Sequence, residues 1–256
     1  MLEILQIPAL TDNYIYLAHE PNGWATAVID PAAAEPVLKA LDERGWTLTH
    51  ILNTHHHGDH VGGNLELKRA TGCAVVGVAR DKERIPGIDV EVAEGDIIGL
   101  GHAAARVLDI PGHTSGHIGF WFAEDDALFC GDTLFGLGCG RLFEGHAEQM
   151  WESLEKIRAL PPSTRIYCAH EYTQANGRFA LTVEPGNPDL LERLSDVQSL
   201  RARGLPTVPF LLSEELAANP FLRPESLAIR HRLKLEKADN WRVFAELRHL
   251  KDGFVG

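Results

Sequence analysis

Over the first two thirds of the chain, apolar residues come in short alternating or continuous runs, each closed by Pro, Asn, Gly or Asp, the pattern of strands rather than of long helices. Runs at residues 2–7, 14–18 and 25–29 open the chain as three closely spaced strands. Residues 35–44 switch to helical spacing and stop at Gly45, and residues 50–53 form a short apolar run leading into a polar, histidine-rich segment. A helix over 64–70, a buried strand over 74–78 and strands at 97–98, 105–109, 118–122 and 127–130 follow, separated by turn residues. The spacing at 148–160 predicts an amphipathic helix halted by Pro161-Pro162, with a last short strand at 166–169. From about Tyr172 the pattern is almost wholly helical, with candidates at 188–203, 213–218, 226–235 and 239–250, and strands stop. The expectation is an α/β domain over residues 1–171 and a smaller helical domain over 172–256.

Composition adds limits. With 256 residues and 45% hydrophobic content, the chain can bury a sizeable core without a metal or disulfide staple, so a metal site would be functional rather than structural. A net charge of −12 repels phosphate backbones and anionic lipid, which argues against nucleic-acid and membrane partners. The acidity is uneven: residues 1–174 hold 12 basic and 25 acidic side chains, residues 175–256 hold 12 and 11. The tail is thus either a mixed-charge solvated surface or a source of cations for an anionic ligand. Cys73, Cys130, Cys139 and Cys168 lack tight spacing, and Met1-Leu2-Glu3-Ile4 lacks a signal-peptide pattern, so free thiols in a reducing cytoplasm are expected.

The thirteen histidines are out of proportion. Thr54-His55-His56-His57-Gly58-Asp59-His60 places four of them and one aspartate directly after an apolar strand. Side chains alternate along an extended backbone, so His55 and His57 point to one side, while a turn at Gly58 can swing Asp59 and His60 toward a neighbouring point. One segment could serve two adjacent metals. Imidazole and carboxylate suit zinc, iron or manganese, and the lack of cysteine in the segment argues for a catalytic rather than a closed structural site. Three further runs end in the missing residue types: Pro111-Gly112-His113-Thr114, Cys130-Gly131-Asp132-Thr133 and Cys168-Ala169-His170-Glu171. Singly, such residues are often caps and turn formers; as a set they point to metal binding. His56 should face away from its neighbours, His117 fits a structural hydrogen bond, and Cys139, between two glycines, is read as a small turn residue.

The run His55-x-His57-x-Asp59-His60, followed in order by His113, Asp132 and His170, resembles the metallo-β-lactamase superfamily, an αββα sandwich. Leu10-Thr11-Asp12-Asn13-Tyr14, Gly131-Asp132-Thr133-Leu134-Phe135 through Gly138-Cys139-Gly140-Arg141, and Asn219-Pro220-Phe221-Leu222-Arg223 are similar to the glyoxalase II family within it. The resemblance implies one metal on His55, His57 and His113, a second on Asp59, His60 and His170, and Asp132 bridging both. It also implies that Asp59 orients the nucleophile and that Arg141, Tyr172, Arg248 and Lys251 hold glutathione. Better-known eukaryotic members carry Lys where this chain has Arg141, and Tyr where it has Phe143; the cation is kept and one hydroxyl contact is lost. The implied activity is hydrolysis of S-D-lactoylglutathione by a monomer carrying two divalent ions, zinc foremost. A persulfide dioxygenase with one iron needs only part of this ligand set, and a nuclease needs a basic stripe that the chain lacks.

Overall fold

The structure is a computed structural model and describes residues 1–255. The chain forms two compact units: residues 1–109 with 116–131, and residues 110–115 with 132–256.

In the first unit, β1 (Glu3–Ala9), β2 (Asn13–Glu20) and β3 (Ala25–Ile29) form an antiparallel meander, and β2 and β3 are buried along their whole length. Helix α1 (Glu35–Arg44) has a proline in its first turn and ends on Gly45, whose φ of 66° is the left-handed stop expected of a terminal glycine. It buries Val37, Ala40 and Leu41, one stripe at helical spacing, and carries the chain over to β4 (Leu48–Leu52), parallel to β3. After the one-turn α2 (Gly58–Val61), helix α3 (Asn64–Thr71) repeats the crossover to β5 (Ala74–Val78), and β6 (Val90–Val92) closes this mixed sheet. A second, antiparallel run follows: β7 (Ile97–Leu100), β8 (Ala103–Asp109), β9 (Ile118–Phe122) and β10 (Ala127–Gly131). Tyr16 from the first sheet meets Phe129 from the second at 5.5 Å between ring centroids, and Phe122 packs edge-on to Phe129 at 5.9 Å. These tilted contacts are the aromatic centre of a sheet-on-sheet core.

The second unit contains the hairpin β11 (Leu134–Phe135) and β12 (Gly138–Cys139), helix α4 (Ala147–Arg158), strand β13 (Arg165–Cys168), helices α5 (Thr173–Val183) and α6 (Pro188–Ala202), strand β14 (Phe210–Leu211), and helices α7 (Leu212–Ala218), α8 (Leu227–Leu233) and α9 (Asn240–Asp252). Its core is a chain of aromatic contacts, Phe179 to Phe221 at 5.8 Å, Phe221 to Phe244 at 6.0 Å and Phe244 to Trp151 at 6.2 Å.

Several elements depart from the sequence reading, among them the short strands β6, β11 and β12, which it did not include. Strands do not stop after Tyr172, because β14 pairs antiparallel with β13; two residues are too few to show a period of two. Helix α5 was not expected, since its buried stripe includes Thr173, Asn176 and Gly177, which interrupt the apolar periodicity. Gly58 makes no left-handed turn; it opens α2 instead. Within the second unit the β11–β12 hairpin and α4 pack with α5 and α9. Among the described residues no helix is long and apolar enough to cross a membrane.

Candidate metal centre

In the first unit, β3 and β4 are parallel, so both present their C-terminal ends at one sheet edge, the usual ligand edge of such sheets. Asp30 leaves the first end and Asn53–His57 the second. His57 is still extended (φ −61°, ψ 146°) where it caps α2, so alternation puts His55 and His57 on one side, with His55 Nε2 and His57 Nδ1 3.1 Å apart. The helical turn of α2 then returns His60 toward His55, their ring centroids 4.0 Å apart. What Gly58 was expected to do by its freedom, α2 does by its geometry.

Sequence reasoning missed Asp30. Its carboxylate accepts from the Thr54 amide at 2.7 Å and the Thr54 hydroxyl at 2.6 Å, and lies 3.0 Å from His60 Nδ1. Thr54 Oγ1 is in turn 3.0 Å from His55 Nδ1. Asp30 therefore orients His60 directly and His55 through Thr54, each at its Nδ1 atom, the role outer carboxylates play at metal sites. Asp30, His55 and His60 present donor atoms within 4.8 Å of one another. The sequence signal was weak: one aspartate before a proline, held at φ 49°. Asp59 is fixed from the β1–β2 turn, where the Asn13 amide donates to its carboxylate at 3.1 Å and its carbonyl at 3.2 Å. His56 turns away as expected, with Nδ1 3.2 Å from Asp81 and Nε2 3.2 Å from Arg84. His117 is buried and stacks on His55 at 4.7 Å.

In the second unit, Asp132 lies between two histidines. Its Oδ2 is 3.4 Å from His113 Nε2, and its Oδ1 is 3.4 Å from His170 Nε2. These separations exceed an ordinary N–H···O hydrogen bond. They match the roughly 3.4 Å between two ligands that share a tetrahedral ion at bond lengths of about 2.0–2.2 Å. Each carboxylate oxygen is thus set against a different imidazole, as a bridging ligand requires. His113 Nδ1 is tied to the Arg141 carbonyl at 2.9 Å, while its Nε2 faces Asp132. Tyr172 stacks flat on His170 at 4.8 Å with a 3° interplanar angle, and Phe143 meets His113 edge-on at 5.2 Å while remaining exposed. His55, His60, His113, Asp132 and His170 are each no more than 6% exposed, and burying that many ionisable groups is costly without a counterion. The donor chemistry fits divalent metal ions.

Cations gather in this unit as well. Burial lowers the Lys251 pKa, and the positive charges of Arg248, Arg141 and Arg178 lower it further. Arg178, on α5, had no sequence signal because α5 itself had none. Arg141 is exposed and Lys251 half-buried, whereas Arg248 is only 4% exposed and bonded to Cys139 and Asp252. Cys139 is buried, and desolvation pushes its thiol up to about 11, which keeps it protonated at neutral pH.

The mixed sheets and histidine–aspartate donor sets define a metal-dependent hydrolase of the metallo-beta-lactamase superfamily, which residues 12–170 match; residues 171–254 match the hydroxyacylglutathione hydrolase C-terminus. Over 256 residues, all of both chains, the sequence is 68% identical to a hydroxyacylglutathione hydrolase of Methylococcus capsulatus. It is 57% identical over 253 residues, 99% of each chain, to one of Rhodospirillum rubrum. A solved structure of TTHA1623 in a di-iron-bound form is similar at 28% identity and a TM-score of 0.56, covering 64% of this chain and 90% of that one. The chain belongs to the hydroxyacylglutathione hydrolase family, also called glyoxalase II.

Proposed function

We propose that the protein hydrolyses the thioester S-D-lactoylglutathione to D-lactate and glutathione; its relatives are named hydroxyacylglutathione hydrolases. In this reading His55, His57 and His113 would hold one ion, Asp59, His60 and His170 the other, and Asp132 would serve both. When bound, two divalent ions would supply hydroxide at neutral pH and polarise the thioester carbonyl. The chain's own residues do the rest. Asp59, fixed by Asn13, orients the attacking oxygen besides serving as a ligand. Tyr172, flat against His170, offers its ring and hydroxyl to the glutathione backbone. Arg141 and Lys251, with the charge of Arg248 behind them, attract the two carboxylates of glutathione, far from the reacting carbon. A thiolate is a good leaving group, so no strong general acid is needed.

The observation that carries this reading is the Asp132 carboxylate, one oxygen toward each of two buried histidines, in the unit that also holds the cationic cluster. Zinc is the proposed metal; iron and manganese accept the same donors, and the di-iron relative makes metal analysis the direct check. A monomer in the cytoplasm, with residues 172–256 as the glutathione-holding part, completes the proposal. Offering the metal-replete protein S-D-lactoylglutathione and glutathione persulfide in parallel tests it. Thiol release from the first is expected; oxygen consumption with the second and no thioester loss would overturn it.

A further inference from the structure

Between His170 and Tyr172, whose rings stack flat, stands Glu171, its side chain only 9% exposed. Its carboxylate accepts from the Thr207 amide at 2.8 Å through Oε2 and from the Thr207 hydroxyl at 2.6 Å through Oε1. One residue of the loop between α6 and β14 thus engages both oxygens, and Arg201 of α6 adds a longer contact to Oε2 at 3.5 Å. The Thr207 hydroxyl also lies 2.6 Å from that of Thr173, the first residue of α5. A hydroxyl has one proton to give, and that of Thr207 goes to the carboxylate, so the Thr173 hydroxyl donates to Thr207. Thr173 is fully buried and wedged against the β11–β12 turn, where a methyl group on Gly136 would lie 2.3 Å from its oxygen. Thr207 is held in its turn, since its carbonyl accepts from Arg193 at 3.4 Å. Residues 170–173 therefore alternate: His170 and Tyr172 are paired ring to ring, while Glu171 and Thr173, on either side of Tyr172, are tied to Thr207. Every contact in this clamp lies in the second unit.

We infer that Glu171 is a positioning residue for His170 and Tyr172, acting through Thr207 to keep the metal donor and the ring stacked on it in one arrangement. The inference rests on the roles proposed above for those two residues. Pinning the backbone on both sides of Tyr172 removes its freedom before metal or thioester binds, which is how a supporting shell preorganises a site. A carboxylate suits the task because both oxygens accept and neither has a proton to place. Outer groups that orient ligands commonly change metal affinity by about 10–100-fold.

The test uses Glu171→Ala, Thr207→Val and Thr207→Ser in the full chain. Zn2+ affinity is measured by chelator competition, the Co2+ form by its visible absorption, and kcat and KM for S-D-lactoylglutathione at saturating metal. We expect Glu171→Ala to weaken one of the two Zn2+ by about 10-fold or more, to shift the Co2+ bands, and both to lower kcat and to raise KM, because donor and stacked ring move together. Thr207→Val keeps the shape and the amide but loses the hydroxyl, so it should change the same quantities in the same direction, to a lesser degree. Thr207→Ser keeps amide and hydroxyl and loses only a methyl group, so it should match wild type in metal affinity, spectrum and kinetics. Unaltered bands, Zn2+ affinity and KM in folded Glu171→Ala would overturn the inference. If Glu171→Ala fails to fold by circular dichroism, the two threonine variants decide: a Ser variant as impaired as the Val variant, or a Val variant indistinguishable from wild type, would show that Thr207 acts by packing alone and would also overturn it. A wild-type protein that takes up no Co2+ would instead remove the metal reading on which the inference rests.

Discussion

Gly112 stands immediately before His113 with φ at 144°, a region that residues with a side chain rarely adopt. Its back is against α4: a methyl group built on it would lie 2.7 Å from Met150 Cβ and 3.0 Å from Met150 Cα, where ordinary contact begins at 3.4 Å. Met150 is fully buried, and Ser153, one turn on, donates to the Pro111 carbonyl at 2.6 Å, so helix and loop are tied on either side of the clash. Gly112→Ala therefore costs backbone strain of about 1–3 kcal/mol and overpacking of about 1–3 kcal/mol. Together these are about 2–6 kcal/mol, a large share of a total stability of roughly 5–15 kcal/mol. At roughly 2–4 °C per kcal/mol, the metal-free variant should melt about 4–24 °C below wild type. Relief by backbone movement would drag His113 off the Arg141 carbonyl, so metal affinity should fall as well. The comparison is Gly58→Ala, inside the histidine run, where an added methyl meets nothing within 4 Å and φ is not left-handed. It should melt within about 2 °C of wild type and keep its metals, since unstrained Gly→Ala changes are neutral or stabilising by about 0.4–1 kcal/mol. Melting curves of both variants, apo and metal-loaded, decide the matter. A Gly112→Ala protein as stable as wild type, or a Gly58→Ala protein that loses as much, would refute the reasoning.

Asp132→Ala should lose both metals and all activity, while His56→Ala, which breaks contacts to Asp81 and Arg84, should keep both; metal analysis of the purified proteins checks each. Lys251→Ala and Arg141→Ala should raise KM and leave kcat within a few-fold, because carboxylate contacts remote from the reacting bond act alike in ground and transition states. Added salt should weaken wild-type binding in the same direction, as initial rates at several ionic strengths would reveal. Burial raises Glu215 from 4.5 to about 7, so the favourable balance it gives the fold is complete below about pH 4.5 and is lost as pH rises toward 7. That gap corresponds to about 3 kcal/mol, so Glu215→Gln should gain on wild type between pH 5 and 8 in urea denaturation. Glu20 has the opposite sign: the amides of His102, Asn22 and Gly23 hold it near 2, against the opposing effect of burial. Its contribution is present above about pH 4.5 and lost as pH falls toward 2, so Glu20→Gln should flatten the acid limb of the stability profile.

The strand runs and the histidine segment were legible because each is local. Alternation alone put His55 and His57 on one side, and β3, α1, β5 and β9 follow the periodicity closely. Asp30 was not legible, since its importance lies in hydrogen bonds to Thr54 and His60, twenty-four and thirty positions away. Nor was the job of the Leu10–Tyr14 segment, which the structure shows to include an Asn13 amide holding Asp59. Charge counting marked the tail as a source of cations but could not tell half-buried Lys251 from buried Arg248, because burial is set by packing against Phe221 and Cys139.

The same limit explains why the C-terminal helices looked like a substrate-holding appendage. The β11–β12 hairpin has strands of two residues each, too short to fix its own register. Three buried polar side chains from the tail supply what it lacks. Glu215 accepts from the Leu137 amide at 2.7 Å, Asn219 donates to the Phe135 and Gly138 carbonyls at 3.3 and 3.0 Å, and Arg248 donates to the Cys139 carbonyl. Asn219 also caps the turn at Phe221, which accounts for the Asn219-Pro220-Phe221 stretch in structural terms. A buried amide or carbonyl left without its partner costs about 1–3 kcal/mol, so each lock is worth keeping only if the hairpin must hold one conformation. The hairpin runs from the residue beyond Asp132 to the turn whose Arg141 carbonyl orients His113. The tail of this chain therefore holds the hairpin next to His113 and Asp132 as well as carrying Lys251, a cation proposed for the substrate, and truncating it would remove both.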